Sequence, residues 1–253
     1  MRPLIELKDV TNRFGAQVVH DHINFAVYEN EALGLVGGSG SGKTVLLRTI
    51  LGLNKPHEGQ VLFGGTDLYS LTPEQRLNLQ KRFGVLFQNG ALFSGLTVID
   101  NVALPLREHT RLSEKVIEDL AFLKLRMVRL QPDAMNKYPS ALSGGMTTRA
   151  GMARAMALDP DILFLDEPTG ALDPVSASSL DELMRDLHKI LRLTIFIITH
   201  DPNTLVTVCD RIAMIVDGKI VCGTLDDLLK STHPKIQAYF KGARMQAALT
   251  ERH

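Results

Sequence analysis

Residues 37 to 44 read GGSGSGKT, which matches the pattern G-x-x-x-x-G-K-[ST] at every fixed position. The apolar run EALGLVG (residues 31–37) precedes this stretch, and the amphipathic run KTVLLRTILGL (residues 43–53) follows it. These are the neighbours that the pattern requires, because a buried strand leads into the loop and a helix begins at its end. The stretch therefore predicts a phosphate-binding loop rather than a glycine-rich turn.

Each residue type in this loop has a physical role. The glycines let the backbone wrap around phosphate groups without a clash from a Cβ atom. Lys43 supplies a positive charge, and the hydroxyl of Thr44 is suited to ligating Mg²⁺. The predicted phosphate-binding residues are Gly37, Gly38, Ser39, Gly40, Ser41, Gly42, Lys43 and Thr44.

Two other apolar runs end in side chains that can do chemistry. ILFLDE (residues 162–167) ends in Asp166 and Glu167, and IFIITHD (residues 195–201) contains His200. Ligands of open α/β sheets bind beyond the carboxyl ends of the strands. We predict that Asp166 holds Mg²⁺, that Glu167 accepts a proton from an attacking water, and that His200 contacts the γ-phosphate. A solvated acidic turn and a structural histidine are the alternatives, and the phosphate loop argues against both.

Two further residues are candidates for the same site. Gln88 follows the strand-like run FGVLF (residues 83–87), and we predict that its amide reaches Mg²⁺ or the attacking water from a loop. Phe14, within NRFGAQ (residues 12–17), offers a flat face on which adenine can stack. A phenylalanine buried in the core is the alternative for Phe14.

The stretch SALSGGMTTRAG (residues 140–151) places Ser143, Gly144 and Gly145 directly ahead of a helical pattern. A helix start of this kind favours anions, because its backbone N–H groups are free and the helix dipole is positive there. The chain therefore contains two predicted phosphate-binding helix starts, about a hundred residues apart.

The strand patterns predict an α/β fold. The first thirty residues alternate apolar and polar side chains, and GQVLFGG (residues 59–65) is another short strand. RIAMIVDGKIVCG (residues 211–223) is two alternating runs joined by Asp217-Gly218, which indicates a type I′ hairpin. The nearly continuous apolar runs are instead typical of parallel strands that helices cover on both faces. We therefore predict a mixed sheet with a parallel centre and antiparallel edge strands.

The periodicity also suggests how the chain is divided. Between residues 89 and 158 the apolar spacing becomes helical, as in LSEKVIEDLAFLKL (residues 112–125). We interpret residues 89–158 as a helical subdomain inserted into a nucleotide-binding core, which residues 1–88 and 159–232 form.

The C-terminal tail, residues 233–253, carries Ile236, Phe240 and Met245 at helical spacing. This pattern predicts one amphipathic helix. A helix packed on its own domain is favoured over an arm that binds a partner.

Composition narrows the function. The 253 residues contain 28 basic and 28 acidic side chains, so the basic surface typical of nucleic-acid binding is not expected. The N-terminus MRPLIELKDV lacks the apolar segment of a signal peptide, and the longest apolar runs are too short to span a bilayer. Cys209 and Cys222 match no metal or redox spacing. A soluble cytoplasmic protein is predicted.

Taken in order, these motifs resemble the ATPase subunits of ABC transporters over roughly residues 4 to 230. The matching elements are Phe14, GGSGSGKT, Gln88, LSGGM (residues 142–146), ILFLDE, GALD (residues 170–173) and His200. The resemblance implies ATP and Mg²⁺ as cofactors and a head-to-tail dimer of two ATPase subunits. Each ATP then lies between one chain's phosphate loop and the other's Ser143, Gly144 and Gly145. Asp173 matches the loop that couples the two sites and is expected at the ATP interface.

A narrower resemblance lies in FQNGALFSGLTVIDNVALPLREHTRLSE (residues 87–114), which is similar to ATPases of Mla-type phospholipid transporters. It implies a homodimer that is bound through permease subunits to the cytoplasmic side of the bacterial inner membrane. An MCE-domain protein and, in some systems, a small STAS-domain protein are the further partners implied. The expected function is ATP-driven movement of phospholipids between the inner and outer membranes.

Two other functions are weighed against this one. An ABC importer of a polar solute uses the same ATPase, but residues 87–114 argue against it. A soluble ABC protein without a transport role often has two fused ATPase domains or a basic surface, and this chain has one domain and balanced charge. Mla-type ATPases often have basic residues where this chain has Thr147 and Thr148. The next residue, Arg149, is the match.

Overall fold

The computed structural model describes residues 2–251, which contain ten β-strands and ten α-helices. The strands are β1 (Pro3–Phe14), β2 (Gln17–Tyr28), β3 (Ala32–Gly37), β4 (Glu58–Phe63), β5 (Thr66–Asp67), β6 (Phe83–Leu86), β7 (Ile162–Asp166), β8 (Thr194–Ile198), β9 (Arg211–Val216) and β10 (Lys219–Gly223). The helices are α1 (Lys43–Ile50), α2 (Pro73–Gln80), α3 (Val98–His109), α4 (Glu114–Met127), α5 (Gly144–Ala155), α6 (Pro174–Leu191), α7 (Pro202–Val208), α8 (Leu225–Leu229), α9 (Pro234–Phe240) and α10 (Ala243–Glu251). None of these helices is long and apolar enough to cross a membrane.

The phosphate loop follows a central strand of a six-stranded sheet, whose strand order is β10–β9–β3–β8–β7–β6. Strands β9, β3, β8, β7 and β6 are parallel, and β10 pairs antiparallel with β9 at the edge. Both turn residues between β9 and β10 have positive φ, 51° at Asp217 and 76° at Gly218, as a type I′ turn requires. The predicted mixed sheet with a parallel centre and an antiparallel edge is confirmed.

The N-terminal strands form a separate sheet, which the sequence did not distinguish from the edge of the first. Its order is β2–β1–β4–β5, and all of its pairs are antiparallel. Strands β1 and β2 are each twelve residues long and joined by a tight turn, so they pair with each other rather than extending the parallel sheet. Their buried faces pack with Leu33 and Leu35 of β3 and Phe164 of β7 in one core.

Helices α3, α4 and α5 lie in sequence between β6 and β7 and pack against one another. Their apolar faces share a second core with the sheet, through Leu163 and Leu165 of β7 and through the long helix α6. This core holds the start of α5, which carries Ser143 at its N-cap, in a fixed place relative to β7.

The C-terminal tail forms two helices, α9 and α10, where one was predicted. Gly242 lies between them, and glycine lowers helix propensity because its backbone loses more conformational freedom on ordering. The three apolar residues of the pattern, Ile236, Phe240 and Met245, are all buried in one core with β9. The predicted packing on its own domain is therefore seen, and Arg252 and His253 lie outside the described residues.

Candidate active site

The phosphate loop joins the end of β3 to the start of α1 and closes around the ammonium group of Lys43. Lys43 Nζ donates hydrogen bonds to the carbonyl oxygens of Gly37 at 2.8 Å and Gly38 at 3.2 Å. Gly42 is the N-cap of α1 with φ 96° and ψ 9°, a left-handed conformation that favours glycine. The loop therefore presents the positive end of α1, and its lysine stays close to the backbone that is expected to surround phosphate.

The two predicted acids lie at the carboxyl end of β7. Burial raises the pKa of Asp166, the negative charge of neighbouring Glu167 raises it further, and Lys43 and Arg48 act in the opposite direction. Asp166 is therefore close enough to Lys43 of the phosphate loop for the two charges to interact. The pair concentrates negative charge there, which favours a bound cation.

The structure brings Glu167 and His200 together across neighbouring strands. Nδ1 of His200 lies 2.7 Å from Oε2 of Glu167, although that oxygen has no hydrogen-bond partner of good geometry among the described residues. Glu167 has φ 50°, and its N–H donates to the carbonyl of Ile198 at 2.8 Å. A non-glycine residue with positive φ is uncommon, and such strain often occurs at functional sites.

Gln88 opens a short 3₁₀ turn, Gln88–Ala91, in which Asn89, Gly90 and Ala91 all have positive φ. Arg154 of α5 clamps this turn, since its guanidinium donates to the carbonyls of Ala91 at 2.8 Å and Gly90 at 3.1 Å. Arg154 could not be predicted from the sequence, because an arginine in a helical run gives no sign of the carbonyls that it reaches. The clamp joins the Gln88 turn to the helix that begins at Ser143.

Ser143 caps the start of α5, and its hydroxyl accepts from the N–H of Met146 at 3.3 Å. Thr147 and Thr148, which replace the expected basic residues, donate their hydroxyls to the carbonyls of Ser143 and Gly144 at 3.0 and 3.1 Å. Arg149 donates to the carbonyl of Val128 at 2.9 Å and so ties α5 to the end of α4. The first turn of α5 is thus held by its own side chains.

Within one chain, the two glycines of this helix start make no close contact with the phosphate loop. A Cβ atom built on Gly144 or Gly145 would meet only atoms of Ala171, Leu172 and Ser176 within 4 Å. No atom of residues 37–44 is among them.

Two other predicted site residues lie at the end of a strand and at the start of a helix. Phe14, at the end of β1, is 56% exposed, so its ring face is accessible to a ligand. Asp173 is the N-cap of α6, and its carboxylate accepts from the N–H of Ser176 at 3.0 Å. The hydrogen bonds with Ser176 hold the pKa of Asp173 below its usual value.

A buried hydroxyl–carboxyl network lies behind the Glu167–His200 pair. Thr169 donates to the carboxylate of Asp201 at 3.3 Å and contacts the hydroxyl of Thr204 at 3.4 Å. Thr204 in turn donates to Asp181 of α6 at 2.8 Å. Burial raises the pKa of Asp181 to about 7, and nearby Asp201 also raises it while the bond from Thr204 lowers it.

Asp181→Asn is expected to flatten the pH dependence of stability. The folded-state pKa of Asp181 is above its unfolded value. The contribution of Asp181 to the free energy of unfolding is therefore fully present below about pH 4 and is lost as the pH rises through about 7. The loss is of order 4 kcal/mol. Asparagine keeps an oxygen to accept from Thr204 and carries no charge. Urea unfolding between pH 5 and 8 measures the slope, and Asp119→Asn, at an exposed site on α4, is the matched control. Equal slopes in the Asp181 variant and the wild type would contradict the expectation.

The site and fold together define a class: a P-loop nucleotide hydrolase with a parallel central sheet, a second serine-capped, glycine-rich helix start in its helical region and a carboxylate–histidine pair beyond the strands. The chain belongs to the ABC transporter family, whose sequence profile matches residues 20–170, more than half of its length. It is accordingly an ATP-hydrolysing cassette.

Known proteins similar to this chain span most of its length. The intermembrane phospholipid transport system ATP-binding protein MlaF of Haemophilus influenzae is 40% identical over 240 residues, which is 94% of this chain and 90% of that protein. The probable ribonucleotide transport ATP-binding protein mkl of Mycobacterium leprae is 39% identical over 95% of this chain and 70% of its own length. A solved dimeric ATP-binding cassette in a post-hydrolysis state, bound to ADP and Pi, has a TM-score of 0.79 and 31% identity, covering 87% of this chain and 98% of that one.

Proposed function

We propose that this chain is the ATP-hydrolysing subunit of a transporter that moves phospholipids between the inner and outer membranes. The observation that carries the proposal is the 40% identity to MlaF over 94% of this chain, in an alignment that also covers 90% of MlaF. The residues of an ATPase site do not recognise the cargo. The assignment of phospholipid as the cargo therefore rests on the similarity to MlaF, and the assignment of ATP hydrolysis rests on the geometry of the site.

For the chemistry, the proposal assigns Glu167 as the base that accepts a proton from the attacking water. His200, whose Nδ1 lies 2.7 Å from the Glu167 carboxylate, orients that carboxylate and contacts the γ-phosphate. Lys43 is held at the loop by the Gly37 and Gly38 carbonyls and is free to exchange them for phosphate oxygens. Phe14 supplies an exposed face for adenine.

Magnesium fits the donors present at this site. Thr44, Gln88 and Asp166 each offer an oxygen atom, the ligand type that Mg²⁺ prefers, and the pKa of Asp166 is raised by burial first and by the negative charge of Glu167 second. When bound, the ion neutralises charge on the phosphate oxygens. The chain's own contribution is to hold Asp166 half-buried at the end of β7, where it stays close to Lys43.

A second copy of this chain completes the site. Ser143, Gly144 and Gly145 form a helix start that favours anions, and a Cβ atom on either glycine meets no atom of the phosphate loop of the same chain within 4 Å, so we propose that they bind the γ-phosphate held by a partner. The dimeric state of the solved cassette bound to ADP and Pi supports this arrangement. Asp173 caps α6 close to this helix start, at a position where it can couple the two sites.

The permease surface is proposed to be a groove between the core and the helical subdomain, residues 89–158. Leu77, Phe83, Pro105, His109 and Arg154 line this groove. Leu77 of α2 is 53% exposed there, which leaves an apolar side chain for a partner to cover. Arg154 also holds the Gln88 turn, so binding in the groove has a direct connection to the ATPase site. We propose, from the similarity to MlaF, that the homodimer lies peripherally on the cytoplasmic face of the inner membrane, with an MCE-domain protein and, in some systems, a small STAS-domain protein as further partners.

A polar solute is the second candidate cargo. The specific observation in its favour is the 39% identity to the mkl protein, whose name indicates ribonucleotide transport. The alignment covers 70% of mkl against 90% of MlaF, and for that reason the phospholipid proposal is preferred.

Purification of the chain from native membranes in mild detergent tests the proposal. We expect mass spectrometry to identify a permease and an MCE-domain protein together with bound phospholipid. Leu77→Glu is expected to reduce recovery of the permease at least about tenfold, because it puts a charge into an apolar contact. The matched control is Ile190→Glu on α6, where the side chain is 78% exposed and lies outside the groove. Thermal unfolding checks that both variants fold. A permease recovered with a polar solute, or soluble partners alone, would overturn the phospholipid assignment while leaving the ATPase in place.

A further inference from the structure

Beneath the phosphate loop, three polar side chains lie within an otherwise apolar core. Asn12 of β1, His20 of β2 and Thr49 of α1 are all buried, and His20 and Thr49 have no exposed surface. Asn12 and His20 are cross-strand partners, and Asn12 Nδ2 lies 3.0 Å from His20 Nδ1 and 3.2 Å from Thr49 Oγ1. Buried polar groups destabilise the folded state unless they are hydrogen-bonded, so the partners of each group in this cluster matter.

The hydrogen bonds fix the tautomer of His20. The Thr49 hydroxyl donates its proton to the Val45 carbonyl at 2.9 Å, so its oxygen accepts from Asn12 and the amide nitrogen of Asn12 must face it. That same nitrogen faces His20 Nδ1, which therefore accepts, and the ring proton lies on Nε2. Burial lowers the pKa of His20 to about 4, so the ring is neutral at physiological pH.

The Nε2–H group points at the phosphate loop. Nε2 has no hydrogen-bond partner within residues 2–251, and a Cβ atom built on Gly42 would lie only 2.5 Å from it. The backbone of Gly42 raises the pKa of His20, against the larger effect of burial, as an accepting carbonyl does. That carbonyl already accepts from the N–H of Leu46 at 2.8 Å and has a second lone pair for Nε2–H.

We propose that His20 is a positioning residue for the phosphate loop: its Nε2–H directs the Gly42 carbonyl inward, and the Lys43 N–H consequently points into the phosphate cradle. The two groups belong to one peptide unit, which is planar and trans, so they point in opposite directions. The hydrogen bond is completed when bound phosphate draws the Lys43 N–H outward. His20 thereby couples an otherwise unpaired buried donor to nucleotide binding.

The test compares variants of the full-length chain in binding to an ATP analogue that resists hydrolysis. His20→Phe removes Nε2–H and is expected to raise Kd about tenfold, the effect of one such hydrogen bond. His20→Gln, whose terminal amide reaches the place of Nε2, is expected to recover most of the affinity, and His20→Asn is not. In ATP hydrolysis by His20→Phe, KM is expected to rise and kcat to stay unchanged, because His20 does not touch the reacting atoms.

A second variant tests whether His20 only stabilises the fold and has no role in nucleotide binding. The double variant Asn12→Leu/His20→Phe removes both partners and is expected to restore thermal stability while the raised Kd persists. The ¹⁵N shift of His20 Nε2 is expected to show a protonated nitrogen and to move when the analogue binds. Wild-type affinity in the double variant, or an Nε2 shift unaffected by the analogue, would overturn the proposal.

The inference rests on residues 37–44 binding phosphate, so Lys43→Ala is measured in parallel. Loss of analogue binding in Lys43→Ala, together with wild-type affinity in His20→Phe, would reject the role of His20 and leave the phosphate-loop assignment in place. Binding retained in Lys43→Ala would reject the loop assignment itself.

Discussion

The Glu167→Gln variant is expected to bind ATP normally and to lose turnover, with kcat falling about 10²- to 10⁴-fold, the usual contribution of a general base. Glutamine has the shape of glutamate but cannot accept a proton from the attacking water. Removing the carboxylate also removes a negative charge beside Asp166 and the phosphate loop, so ATP affinity is expected to be retained or to rise. Because ATP persists, the variant should accumulate as a dimer.

Three measurements check this expectation: phosphate release, equilibrium ATP binding and size-exclusion chromatography with ATP. Glu118→Gln, an exposed position on α4, is the matched control and should behave as the wild type in all three. Wild-type turnover in Glu167→Gln would show that another group takes the proton. Loss of ATP binding would show instead that Glu167 supports the loop.

The parts of the site that the sequence predicted are those where a local pattern is tied to a backbone geometry. The glycines of residues 37–44 predict a tight turn before a helix, and Gly42 has the positive φ that such a turn uses. Asp166 and Glu167 follow a run of apolar residues, which fixes them to the end of a buried strand, β7. The strand order then brings His200 to Glu167 without any further signal in the sequence.

The parts that sequence could not predict depend on contacts between distant segments. Arg154 is one arginine of a helix, and only the fold brings it to the Gly90 and Ala91 carbonyls more than sixty residues away. His20 carries no sign of a role in the sequence, because a single histidine in an alternating strand does not reveal that its ring meets Gly42. The break between α9 and α10 had a visible cause in Gly242, but the surrounding apolar spacing favoured one continuous helix.

A subunit-mixing experiment is expected to show that each ATP site uses two chains. Lys43→Ala removes the phosphate-loop charge, and Ser143→Arg puts a bulky side chain at the other helix start. Each variant alone is expected to lose at least about 10²-fold in hydrolysis, because Lys43→Ala removes charge stabilisation and Ser143→Arg blocks the helix start at both sites of its dimer. In a mixed dimer, however, one site combines an intact loop with an intact Ser143. Equal mixing should therefore restore roughly a quarter of the wild-type rate if subunits exchange freely and the sites act independently.

The double variant Lys43→Ala/Ser143→Arg is the control that separates this arrangement from simple mixing effects. Paired with a wild-type chain, it leaves no site with both parts intact, so an excess of it should lower the rate given by a fixed amount of wild-type chain. Sites built within single chains would give the reverse pattern: the two single variants would stay inactive together, and the double variant would not inhibit. The separation of Gly144 and Gly145 from residues 37–44 within one chain is the structural reason to expect the first pattern.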